Sequence, residues 1–231
     1  MKFKHLLFDL DNTLYPADSA MNDAIQIRML ECVADFFHCT LEEARALKKE
    51  RIVHYSTTLE WLRSEGLTDV EGFLAHVHPE NEADSLKPIV GLREYLQTLP
   101  LPMSILTNSP IEHARRVVEK LGISDLFMAI TDIRDAGFKG KPYSNSYLAA
   151  LAKSGTSVDE TLFLDDMRKY TDGWCALGGT SILVGDDNGK PLAADAKALE
   201  DSARSIAGAG KTGPTIKMQS IYELKKFLEK C

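Results

Sequence analysis

Apolar residues follow two rhythms along the chain. Short continuous runs occur as LLF from residue 6, MSIL from 103, MAIT from 128, TLFL from 161, SILV from 181 and TIKM from 215. Runs of this length without polar alternation predict strands covered on both faces. Elsewhere the spacing is helical. Met21, Ile25, Met29, Cys32, Val33 and Phe36 recur every three or four residues, with Asp18 or Ser19 available as N-cap. In TLEEARALKKE, Thr40 and Glu43 have the spacing of a capping box, which predicts a second helix. The helical pattern continues through Trp61, Leu62, Phe73 and Leu74 until Pro79, Pro88 and the polar stretch HPENEADSLKP interrupt it.

From Gly91 onward helices and strands alternate. One helix passes through Leu92, Tyr95 and Leu96, and another is announced by NSPIEHARRVVEKLG. There Ser109 is the expected N-cap, Pro110 suits the first helical position, Glu112 completes a capping box and Gly122 suits the C-terminal cap. Strands alternating with helices predict an α/β fold with a doubly wound, mostly parallel sheet. Residues 1–16 and 89–231 are the expected α/β core, and 17–88 a helical cap inserted after the first strand. Between 186 and 213, GDDNGK is turn-forming, LAADAKALEDSARSIAG is helix-prone and GAGKTG reads as a connector.

Composition narrows the class. The 231 residues are 44% hydrophobic and 26% charged, and no apolar stretch is long enough to suggest a membrane span. The basic and apolar opening MKFKHLLFDLDN is broken by Asp9 and Asp11 too early for an export signal. Cys32, Cys39, Cys175 and Cys231 form no C-x-x-C pair, so free thiols and a cytoplasmic setting are expected. A net charge of -7 argues against a nucleic-acid polymer as partner and leaves room for a small phosphorylated metabolite.

The chemistry gathers where the strands stop. In doubly wound sheets, ligands bind at the carboxyl ends of the strands. FDLDNTLYP places Asp9 and Asp11 at one such end, MSILTNS places Thr107 and Asn108 at a second, and LFLDD places Asp165 and Asp166 at a third. Carboxylates crowded into a crevice need a positive charge between them. An oxygen-rich pocket of this kind suits a hard divalent cation such as Mg2+. A lysine from FKGKPYSNSY, Lys141 or Lys139, precedes a helix start beside the same crevice and can neutralise a phosphate oxygen.

Taken in order, FDLDNTLYP, ILTNS, KGKP and LFLDD resemble the four motifs of the haloacid dehalogenase superfamily of phosphohydrolases. The resemblance covers most of the chain, and the helical insertion resembles the small cap of its first cap class. Within the superfamily the motifs look most like the pyrimidine 5'-nucleotidase branch. The resemblance implies a Rossmann-like core and a Mg2+-dependent phosphomonoesterase. It assigns Asp9 as the nucleophile that forms an aspartyl-phosphate, and Asp11 as the acid and base for leaving group and water. Thr107, Asn108 and Lys141 become the phosphate-binding groups, and the family pattern favours Lys141 over Lys139. Asp9, Asp166 and the Asp11 main-chain carbonyl would ligate the metal, with Asp165 ligating it directly or through water. The acid at position 11 favours phosphoryl transfer over dehalogenation. After the fourth motif this chain has MRKYTD where many relatives have Asn and Asp, and Asp172 is the available substitute.

Other readings are weaker. A phosphatase of sugar phosphates or other small phosphometabolites would use the same core. A phosphoaccepting receiver module also combines acids, a Thr and a Lys-Pro, but in another order and without the insertion. SIAGAGKTG lacks the first glycine of a P-loop, having Ser205. His76 and His78, two apart with no evident third ligand, read as surface histidines. His54, Tyr55 and Trp61 could stack on a base but are expected in the cap core.

Overall fold

The computed structural model describes residues 2–185 and 212–230. The expectations for residues 186–211, including most of SIAGAGKTG, lie outside the described residues.

The apolar runs become strands β1 (His5–Phe8), β2 (Met103–Leu106), β3 (Phe127–Thr131), β4 (Thr161–Asp165), β5 (Thr180–Val184) and β6 (Thr215–Met218). They form one sheet in the order β3-β2-β1-β4-β5-β6, and every pairing is parallel. Successive side chains on a strand point to opposite faces. Leu6 and Phe8 therefore enter one buried cluster while Leu7 enters another. The Leu7 face is covered by α7 (Ser144–Ser154) and α8 (Arg168–Ala176), whose Tyr147 and Trp174 pack with Phe163 at centroid distances of 5.5–5.6 Å. The other face is covered by α5 (Leu92–Gln97), α6 (Ile111–Lys120) and α9 (Leu224–Leu228). The chain order reverses between β1 and β4, the switch point where such sheets open a crevice.

Between β1 and β2 come α1 (Ala20–Phe37), α2 (Leu41–Arg51), α3 (Thr58–Ser64) and α4 (Val70–Val77), then a 3-10 turn at Glu82–Ser85. Ser19 caps α1 by accepting from the Asn22 N–H, and Thr40 and Glu43 form the expected capping box. The pattern through Trp61 and Phe73 is two helices. Gly66, at φ +109°, turns the chain between them in a conformation that favours glycine. Trp61 is buried and stacks on Phe37 at 5.4 Å, so it belongs to the core.

The start of α6 differs from expectation. Ser109 does not cap it; its hydroxyl donates to Asp11 Oδ2 at 2.9 Å. The first turn is capped instead by Asp132, which accepts from the Ile111 N–H at 2.9 Å. A carboxylate at a helix N-terminus also complements the helix dipole, so the substitution costs little. Gly122 does close the helix, at φ +68°. Among the described residues no helix is long and apolar enough to cross a membrane.

Candidate active site

Each strand of the central pair ends in acid. Asp9 follows β1 and Asp165 ends β4, and both are buried. Between them lies the Lys141 ammonium, 2.5 Å from Asp9 Oδ1 and 2.6 Å from Asp165 Oδ2. Lys141 is 1% exposed. Lys139 is held elsewhere, over the Tyr143 ring at 4.0 Å. The structure thus separates two lysines that spacing alone left as rivals.

Asn108 explains how the buried lysine is aimed. Its side-chain amide accepts from the Lys141 N–H at 2.7 Å and donates to the Lys141 carbonyl at 3.0 Å, clamping the backbone on both sides. Gly140 makes room for this clamp, since a Cβ there would lie 2.1 Å from Asn108 Oδ1. Thr13 also has a direct part: its hydroxyl donates to Asp9 Oδ2 at 3.0 Å. Asn12, at φ +67°, turns the chain sharply after Asp11, a conformation Asn tolerates.

One carboxylate oxygen from each of Asp9, Asp165 and Asp166 lies within 4.8 Å of the other two. Burial pushes the carboxyls of Asp9 and Asp165 up, with Lys141 pulling the other way. Burial, then the Asp9 charge, pushes Asp166 up to about 7. One ammonium is therefore too little for three buried acids. A set of hard oxygen donors with excess negative charge fits a small divalent cation.

Asp11 has a different environment. Burial alone would raise its carboxyl, yet His113 and Tyr15 hold it well below the usual carboxylate range. Its Oδ1 accepts from Tyr15 at 2.6 Å and faces His113 Nε2 at 2.7 Å; its Oδ2 accepts from Ser109 at 2.9 Å and Thr107 at 3.2 Å. Thr107 is buried at the strand end beside the crevice, one residue before the cavity-lining Asn108 and in contact with Asp11.

A cavity of about 260 Å3 opens above these groups. Asp9, Asp11, Asn108, Lys141 and Asp166 form its floor, and Gln26, Met29, Lys48, Phe73 and Leu74 belong to its helical wall. His54, Tyr55 and Trp61 do not line it. Tyr170 does, with its hydroxyl 3.3 Å from the Ser56 carbonyl, while Asp172 is exposed on α8.

A model of the haloacid dehalogenase-like hydrolases matches residues 3–167. The chain belongs to that family. It is 30% identical over 182 residues to Phosphate metabolism protein 8 of Saccharomyces cerevisiae, covering 71% of this chain and 56% of that protein. The chain therefore spans little more than half the length of that relative. Among solved structures it resembles L-2-haloacid dehalogenase from Xanthobacter autotrophicus, at 19% identity and TM-score 0.57 over 98% of each chain. It also resembles a haloacid dehalogenase-like hydrolase from Bacillus subtilis bound to magnesium, at 16% identity and TM-score 0.59 over 99% of this chain and 100% of that one. At such identities the likeness shows the fold, and the residues must decide the chemistry.

Spacing did not single out Tyr15, His113, Glu82 or Arg116, and it marked Ser109 only as a helix cap. The two-residue spacing of His76 and His78 pointed to surface histidines, and this is corrected for His78. His76 is exposed, but His78 is buried against Glu82 and His113. No local pattern signals it, because its partners come from a turn and from α6 in the core.

Proposed function

We propose that this hydrolase is a Mg2+-dependent phosphomonoesterase that works through an aspartyl-phosphate on Asp9. The observation that supports it most is the single buried cluster of Asp9, Lys141, Asp165 and Asp166 at the strand ends, beside Asp11 and Thr107. Residues 17–88 act as the cap over the core formed by 1–16 and 89–231.

In the first half-reaction Asp9 attacks phosphorus and the alkoxide of the ester departs. Lys141 and the Thr107 hydroxyl, with the Asn108 backbone N–H, take the phosphoryl oxygens and offset the charge that develops on them. Asp11 gives a proton to the departing alkoxide; the approaching phosphoryl charge favours its protonated form. In the second half-reaction Asp11 takes a proton from the water that attacks the aspartyl-phosphate. Asp9, Asp166 and the Asp11 main-chain carbonyl, with Asp165 directly or through water, would hold Mg2+, which would supply positive charge to offset that of the carboxylates and the phosphate. A metal ligand set of this kind agrees with the excess negative charge of the cluster.

The leaving group is a nucleoside, and a pyrimidine suits the cavity best. Side chains of Ile25, Met29, Phe73 and Leu74 supply apolar lining, with Phe73 the one aromatic ring among them, and Lys48 donates to Gln26 Oε1 at 3.1 Å. This leaves the Gln26 amide nitrogen and the Lys48 ammonium as donors toward ring keto oxygens. A second reading, another small phosphometabolite carrying an anionic group, is favoured by the Lys48 ammonium itself. Burial, then the nearby Arg45, brings it down to about 8, and it has no carboxylate partner among the described residues.

Phosphate release from a panel of nucleoside monophosphates, sugar phosphates and phosphorylated acids tests both readings. Turnover concentrated on pyrimidine nucleotides supports the first. Turnover confined to sugar phosphates or phosphorylated acids removes the nucleotidase reading and leaves the chemistry standing.

A further inference from the structure

The two oxygens of the Asp11 carboxylate have different company. Oδ2 accepts from Ser109, which lines the cavity, and from Thr107, the hydroxyl required by an incoming phosphoryl group. Oδ1 faces away from these, toward Tyr15 and His113. When substrate takes the Thr107 hydroxyl, Oδ2 is released toward the leaving oxygen while Oδ1 stays anchored.

His113 is fully buried and is not among the cavity-lining residues. It therefore does not touch substrate. Its Nε2 is hydrogen-bonded to Asp11 Oδ1 at 2.7 Å, and its Nδ1 lies 3.0 Å from Glu82 Oε1, an ion-pair contact rather than an aligned hydrogen bond. Glu82, whose side chain is 0% exposed, also faces His78 Nδ1 at 2.9 Å and Arg116 Nη2 at 2.6 Å. Arg116 in turn donates to the His78 carbonyl at 2.9 Å. The chain of contacts runs from the segment after α4, through α6, to the end of β1.

Two simpler explanations fail. His78, Glu82 and His113 offer ligand atoms within 4.8 Å of one another, as a metal site would. The Arg116 guanidinium already occupies the Glu82 oxygen and supplies the positive charge, so a cation there would be repelled. Simple filling of the core is the other explanation. Buried ionic groups cost more than apolar ones of the same volume, so packing alone does not call for three of them in a line that ends on Asp11.

We propose that His113 is a positioning residue that fixes the Asp11 carboxylate for proton transfer to the leaving group, and that Glu82 orients His113. This rests on the phosphomonoesterase reading given above. It ties the strand-end acid to a residue of the inserted segment, so that the part of the chain covering the cavity also sets the geometry of proton transfer.

The test compares kcat/KM for two esters in His113→Gln, Glu82→Gln and Asp11→Asn. One ester is a nucleoside 5'-monophosphate or another alkyl phosphate that the wild type turns over, whose alkoxide must be protonated. The other is p-nitrophenyl phosphate, whose leaving group departs as a stable anion. Using kcat/KM confines the comparison to formation of the phosphoenzyme, and the ratio of the two values does not depend on how much of a variant is folded. General acid catalysis contributes about 100-fold to 10,000-fold, and Asp11→Asn should lose a factor in that range with the alkyl ester only. His113→Gln should lose about 10-fold to 100-fold with the alkyl ester, below that range because the acid itself is kept. With p-nitrophenyl phosphate it should stay close to the wild type. Glu82→Gln should move in the same direction by less. Adding His113→Gln to Asp11→Asn should leave the ratio unchanged. Equal losses with both esters, or a ratio that keeps falling in the double variant, would overturn the positioning role. A wild type that releases phosphate from neither ester would overturn the phosphomonoesterase reading itself, and this inference with it.

Discussion

Replacing Lys141 with Met removes the one ammonium between Asp9 and Asp165 and keeps most of the side-chain volume. Both carboxylates are buried, and both ammonium contacts, at 2.5 and 2.6 Å, are lost together. Removing one partner of a buried ion pair costs about 3–5 kcal/mol, because the remaining charge is left uncompensated. In a chain of this length each kcal/mol shifts the melting temperature by about 2–4 °C. The expected fall is therefore about 6–20 °C, combining those two ranges. Differential scanning calorimetry in excess chelator reads it without interference from bound cation. The double variant Asp9→Asn, Lys141→Met should recover part of the loss, since it also removes one of the stranded charges. Lys141→Met should lower kcat by about 100-fold to 1,000-fold, the usual effect of deleting one charge-stabilising donor. A melting temperature within 2 °C of wild type, or a double variant less stable than the single one, would refute the electrostatic account of the cluster.

Other predictions follow from the same contacts. Saturating Mg2+ at about 100 times its dissociation constant should stabilise the wild type by about 2.7 kcal/mol, and Asp166→Asn should lose most of that gain in the same calorimetric titration. Gly140→Ala drives a Cβ against Asn108 Oδ1 at 2.1 Å and Ile133 Cδ1 at 2.8 Å. It should cost about 1–3 kcal/mol by chemical denaturation and lower kcat through a displaced Lys141. Lys48→Met removes a charged donor worth about 1.5–3 kcal/mol. KM for the best substrate of the phosphate-release panel should rise by about 10-fold or more, with kcat/KM for p-nitrophenyl phosphate unchanged.

The strand ends were legible because the parallel sheet makes them so. Once β1, β2 and β4 are recognised as buried runs, their carboxyl ends must share one edge, and Asp9, Thr107 and Asp165 follow. Capping was legible where the cap had no competing task, as at Thr40 and Glu43. It failed at Ser109, whose hydroxyl is taken by Asp11, so that Asp132 must serve α6 instead. The split between α3 and α4 was missed because both halves keep apolar residues at helical spacing while Gly66 turns the chain. The chain from Glu82 to His113 to Asp11 had no sequence signature at all. Its members lie far apart in sequence and meet only because the insertion returns across α6.

The central claim is that Asp9 carries the phosphoryl group. The most direct measurement is a rapid-mixing experiment with Asp11→Asn, whose missing base should slow water attack on the intermediate. With p-nitrophenyl phosphate in the presence of Mg2+, the account predicts a burst of nitrophenolate matching the active sites. Acid quenching and peptide mass spectrometry should then find the phosphoryl group on Asp9. No burst, or a phosphoryl group on any other residue, would contradict it.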